Sequence, residues 1–178
     1  MTRALGDVLK VAILIFLVAI LQISVFSDVV VLDGRPDLVL VTLVAVALLR
    51  GSIFGAAAGF GAGLVIDTAS LEILGVTSLL LTIAGYWIGR YGETTGRDRR
   101  HAPFLSVAVV TILYALGALA LRFMLGEPAP AERVLVDTLF QGVGLNLLLT
   151  LPVYALCRRL FRPEPSRSER VKEVQLLG

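Results

Sequence analysis

Six apolar runs stand out along the chain: Val8–Phe26, Asp37–Leu49, Ile53–Ile66, Val76–Tyr91, Phe104–Leu125 and Val134–Cys157. The breaks between them fall at turn chemistry or charge: Ser27–Arg35 with Asp33-Gly34, Arg50-Gly51, Asp67–Gly75, Arg90–His101, and Gly126–Arg133 with Pro128 and Pro130. The pattern predicts an all-α integral membrane protein, a six-transmembrane-helix bundle over residues 1–162. A short charged tail, 163–178, is read as disordered and cytoplasmic. Runs two and three fall short of the roughly 17 residues a spanning helix usually needs. Tilt, snorkelling ends or burial inside the bundle would accommodate them. A single re-entrant hairpin hinged at Arg50-Gly51 is the alternative.

Composition agrees with this pattern. Of 178 residues, 57% are hydrophobic and 17% charged, against roughly half and a quarter in a typical soluble domain. The mean hydropathy is +0.87. These values exclude a disordered chain, a nucleic-acid-binding domain and a disulfide scaffold. At about 20 residues per span, the chain holds at most about six or seven spans, which leaves little for a water-soluble catalytic domain.

Charge sets the expected orientation. Six spans place both termini on one side, together with Arg3, Lys10, Arg50, Arg90, Arg97, Arg99, Arg100, Arg158, Arg159 and Arg162. The other side holds Arg35, Arg122 and Arg133. Under the positive-inside rule, this bias puts both termini in the cytoplasm. The first run has the basic start of a signal peptide, but Ile23-Ser24-Val25-Phe26 offers no small-x-small cleavage site, so a permanent helix is expected. Tyr86, Trp87 and Tyr91 near the cytoplasmic end of span four read as an interfacial anchor.

The most informative segment is GSIFGAAAGFGAGLVID. Gly51, Gly55, Gly59 and Gly63 recur every four residues, and Asp67 continues the stripe. That spacing keeps positions on nearly one helix face. A glycine face lets another backbone approach closely, which is how helices associate in lipid. It packs against a neighbouring span of the chain or receives a partner's helix. Asp67 marks the outer end of the span or serves as a partner contact. In span six, Asp137, Gln141 and Gly144 share a face at i, i+4 and i+7, with Asn146 off that line. Gln22, Ser78 and Thr82 are further interior polar groups. Interhelical hydrogen bonding is the plain reading of all of these.

Candidate chemistry is sparse. Cys157 and His101 are the only residues of their types, so neither a disulfide nor a metal cluster is expected. No nucleophile–base pair, phosphate loop, HExxH or paired intramembrane carboxylate emerges. Neither an enzyme nor an ion-coupled transporter is indicated, and no cofactor is expected.

The order of these features resembles the rod shape-determining protein MreD family. The matching residues are Arg35-Pro36-Asp37-Leu38 opening span two, then Arg50-Gly51, then the stripe ending in Gly63-Leu64-Val65-Ile66-Asp67. Leu74-Gly75 opens span four, and Gly85-Tyr86 with Gly89-Arg90 closes it. Span six carries Gln141, Asn146 and Pro152-Val153-Tyr154. The arginine-rich loop Arg97–Arg100 with His101 departs from the pattern.

The resemblance implies a small, non-catalytic protein of the bacterial inner membrane. It would work in the rod complex (the elongasome) that directs lateral peptidoglycan synthesis. Its implied partners are a single-span MreC-like protein and, more widely, MreB, RodZ, a RodA-like glycosyltransferase and a class B penicillin-binding protein. It also implies a fold similar to the substrate-binding subunits of energy-coupling-factor transporters. That likeness supplies the alternative function, a vitamin-binding transporter subunit. The AxxxA docking pair such subunits carry in their first helix is missing: Ala12 is followed by Phe16 and Ala19 by Ile23.

Overall fold

The computed structural model describes residues 2–26, 36–70, 73–95, 101–126 and 141–161. Every regular element among them is helical: α1 (Thr2–Leu21), continued by a π-helical turn (Gln22–Phe26), α2 (Leu38–Arg50), α3 (Ser52–Ser70), α4 (Val76–Thr95), α5 (Ala102–Met124) and α6 (Val143–Leu160). All of 27–35, residues 127–140 with Asp137 among them, the 97–100 stretch and the tail 163–178 lie outside the described residues.

The bundle is organised around α2. Its residues from Val39 to Arg50 are all buried, and it touches each of the other five helices. At 1.5 Å per residue its 13 residues rise about 20 Å, short of the ~30 Å hydrocarbon core. Burial explains the shortness, because a helix sheathed in protein need not match the bilayer. Two apolar clusters pack on α2. Leu43, Val46 and Leu49 meet Val11 and Ile15 of α1, Ala58 and Ala62 of α3, and Cys157 of α6. Leu40, Val44 and Leu48 meet Ile88 of α4 and Val107 and Val110 of α5.

Local chemistry sets the ends of α2. Asp37 is the N-cap, its side chain accepting from the Leu40 N–H at 2.8 Å. Gly51 stops the helix with φ 95°, a conformation that favours glycine. The turn is so tight that α3 begins at the next residue. Run three proves longer than its apolar residues suggested, reaching Ser70. The hydroxyls of Thr68 and Ser70 bond back to the Leu64 and Ile66 carbonyls, so polar side chains continue the helix instead of ending it.

Four described segments are long and apolar enough to cross a membrane: Gly6–Ser24, Ser52–Ser70, Ala102–Met124 and Val143–Leu160. Of the six expected spans, α2 misses on length. The 20-residue α4 is not among the four, its last turns carrying Arg90 and Glu93. The chain is a multi-pass helical membrane protein. Its outer surface is apolar, with Leu9, Phe16, Trp87, Leu113 and Leu148 all exposed.

Candidate functional site: a glycine-lined hairpin and its polar clamps

Helices α3 and α4 form the closest pair in the bundle. A Cβ added at Gly55 would meet the Gly85 backbone, one at Gly59 the Leu81 backbone, and one at Gly63 the Ser78 backbone. The contact is reciprocal. A Cβ at Gly85 would strike the Gly55 carbonyl, and one at Gly89 the Ser52 backbone. Gly61, on the same helix but off the stripe, has nothing within 4 Å. The stripe therefore works as backbone-to-backbone packing, the mode that holds helices together where lipid removes the hydrophobic drive.

Each end of this hairpin is closed by a carboxylate. Asp67, near the C-terminus of α3, is 1% exposed. Its Oδ2 accepts the N–H groups of Gly75 at 2.8 Å and Ser78 at 3.2 Å, and its Oδ1 accepts that of Thr77 at 3.2 Å. These lie at the start of α4, Gly75 just before it and Thr77 and Ser78 in its first turn, where N–H groups lack helical partners and the helix dipole favours negative charge. At the other end, Glu93 of α4 accepts the Ser52 N–H at 2.7 Å and the Ser52 hydroxyl at 3.0 Å. Each helix thus caps the start of the other. Beside this end Arg50 pairs with Asp7 of α1 at 2.8 Å, its guanidinium 4.9 Å from the Phe54 ring centroid.

A second clamp grips the start of α2 at Pro36-Asp37-Leu38. Gln22 of the π-helical turn donates from Nε2 to the Pro36 carbonyl at 3.0 Å and accepts from the Leu38 N–H at 2.8 Å. Asn146 of α6, 1% exposed, accepts from the Asp37 N–H at 2.8 Å and donates to the Thr111 hydroxyl of α5 at 3.1 Å. Thr111 donates onward to the Val107 carbonyl at 2.8 Å. One tripeptide therefore ties four segments together.

A family model described as rod shape-determining protein MreD matches residues 3–160. The chain belongs to the MreD family. No curated protein and no solved structure matches it. The matched span takes in almost all of the described helical residues, and with them every polar clamp just described in this MreD-family bundle.

Several sequence expectations are corrected here. The glycine face does not stand open to a partner's helix, because α4 fills it. Asp67 is not an exposed contact, because its oxygens are engaged by three backbone N–H groups in a buried position. Gly51 provides the α2–α3 turn and lies outside α3, although its backbone still abuts Gly89. In α6 the line through Gln141 and Gly144 is not the buried one: Gly144 is exposed, while Gly142, Asn146, Thr150 and Cys157 face inward. Asp137 lies outside the described residues, and Gln141 Oε1 is buried with no hydrogen-bond partner among the described residues. Among the described residues no group of three or more His, Cys, Asp and Glu is placed to hold a metal.

Sequence reasoning missed Asp7 and Glu93 as clamps, and missed Gly85 and Gly89 as the counter-face of the stripe. The four-residue spacing of Gly85 and Gly89 was a usable signal, the same one that singled out α3. Nothing local in the sequence marks Glu93 as the cap of Ser52.

Proposed function

We propose that this protein is a non-catalytic scaffold of the rod complex, supporting cell shape and lateral peptidoglycan synthesis through an MreC-like single-span protein. The family match over residues 3–160 carries the reading. The described geometry supports it, because Asp67, Glu93, Gln22 and Asn146 each accept a backbone N–H at a helix start and so hold the helices of the bundle to one another. Such a bundle presents a fixed outer shape to neighbours. The proposal extends to a location in the bacterial inner membrane, both termini cytoplasmic, and to the wider set of RodA-like glycosyltransferase, class B penicillin-binding protein, RodZ and MreB. It includes a fold like that of energy-coupling-factor substrate-binding subunits, a single domain over 1–162 and a cytoplasmic tail over 163–178.

With the glycine face covered by α4, the partner's helix docks elsewhere on the bundle. The outer loops carry Asp28, Asp33 and Glu72 against Arg35, and a basic juxtamembrane patch on the partner would complement them. Asp137 and Gln141 at the head of span six remain partner-facing candidates. A photocrosslinking scan tests this, with reactive residues along 27–35 and at 71, 72, 137 and 141. Crosslinks to an MreC-like protein from these loop and span-six positions are expected. Absence of any such crosslink, with the protein folded in the membrane, contradicts the scaffold reading.

A further inference from the structure

Helix α6 carries a proline, Pro152, in its interior. Proline has no N–H to donate, so the Leu148 carbonyl four residues earlier loses its helical donor. The neighbouring hydroxyl, that of Thr150, donates instead to the Asn146 carbonyl at 2.7 Å. Leu148 is 70% exposed and Pro152 is exposed beside it, so the freed acceptor opens on the outer face of the bundle. It also lies deep. Leu148 is ten residues from Arg158 at the basic end of α6, about 15 Å at 1.5 Å per residue. That is half of the ~30 Å hydrocarbon core, out of reach of water and headgroups, where an unsatisfied backbone group is costly.

Acyl chains carry no donor, so lipid leaves this carbonyl unsatisfied. A second copy of the chain docked by the same face does no better. In such a twofold contact each copy presents the same surface to the other, and Gly144, Leu148, Leu151, Pro152 and Ala155 offer no side-chain N–H or O–H. A helix of another protein, with a polar side chain at that depth, supplies what both lack. The surface admits one closely. A Cβ at Gly144 would have nothing within 4 Å, and Ala155 is exposed on the same side; small residues let helices approach in lipid. Gln141, three residues before Gly144, heads the same face.

We infer that the outer face of α6 from Gly144 to Ala155 seats a membrane-spanning helix of a partner protein, whose serine, threonine, asparagine or glutamine side chain donates to the Leu148 carbonyl. That this partner is the single-span MreC-like protein rests on the rod-complex reading.

For the test, the full chain with a photoreactive residue at 148, 151 or 155 is co-expressed with the MreC-like protein. The same residue is placed at Leu17 of α1 and Leu113 of α5, both exposed. Crosslinks to the partner are expected from the three α6 positions and not from 17 or 113. Pro152→Ala returns an N–H to Leu148 within the helix and should lower the yield from position 151 about threefold, the worth of one interhelical hydrogen bond. Its unfolding temperature should hold or rise, which separates lost docking from lost folding. Gly144→Leu enters open space and should lower the yield at least as much by blocking approach. Full yield with both variants would overturn the inference. Crosslinks to the MreC-like protein from 17, 113 or the outer loops alone would overturn the face and leave the rod-complex reading standing. Crosslinks from α6 to a second copy would overturn the choice of occupant, and no crosslink to the MreC-like protein from any position would overturn both readings.

Discussion

At the scale of single residues, the bundle is specified by a few buried polar groups, each with a defined backbone partner. Asn146 is the clearest, joining α6 to the start of α2 and to Thr111 of α5. Replacing it with leucine leaves the Asp37 N–H without that acceptor. Interhelical hydrogen bonds in membranes average about 0.6 kcal/mol with a maximum near 1.7. Asn146→Leu is expected to lower the unfolding midpoint in detergent, and Thr111→Val to lower it less, because that change leaves the Asp37 contact intact. Asp67 is a stronger case, since a carboxylate receives three N–H groups. Hydrogen bonds to charged groups are worth about 1.5–3 kcal/mol, so Asp67→Ala should destabilise more than Asn146→Leu in the same thermal assay, with Asp67→Asn between wild type and alanine. These residues were legible in the sequence as candidates, but their partners were not. Asp67, Gln22 and Asn146 stand out as polar groups in apolar runs. What they bind lies 8 to 109 positions away and depends on the packing of helices.

At the scale of helices, the α3–α4 hairpin follows from four-residue glycine spacing on both strands of the pair. Periodicity in the sequence marked α3 as a close-packing helix, and the unused signal in Gly85 and Gly89 marked its mate. The open choice between an internal and an external partner is decided by α4, which the chain returns alongside α3 after the short connection between Ser70 and Val76. A sharp contrast follows. Gly59→Leu would drive a side chain into the Leu81 backbone, where overpacking typically costs about 1–3 kcal/mol or more. Gly61→Leu would enter open space beside the same helix. Thermal unfolding of the two variants should separate them clearly, with Gly61→Leu near wild type. The short α2 teaches the converse lesson. Hydropathy length predicts a span only for a helix in contact with lipid, and α2 is enclosed on every side by its neighbours.

At the scale of the whole molecule, charge and fold make a joint statement. The Asp7–Arg50 pair and the Glu93–Ser52 cap bring the start of α1, the end of α2, the start of α3 and the end of α4 to one end of the bundle, the end rich in arginine. Cytoplasmic placement of that end is checked by cysteine accessibility in a Cys157→Ser background carrying Thr95→Cys. A membrane-impermeant reagent should leave it unlabelled in intact cells and label it once the membrane is opened. We propose that this bundle serves rod shape as a rigid scaffold, its rigidity resting on the α3–α4 hairpin. The most direct measurement is cell width in a host depleted of the protein and supplied with wild type, Gly61→Leu or Gly59→Leu, each checked for membrane insertion. Rods of normal width are expected with wild type and Gly61→Leu, and rounded, widened cells with Gly59→Leu. Rods that persist through depletion, or normal width restored by Gly59→Leu, would contradict it.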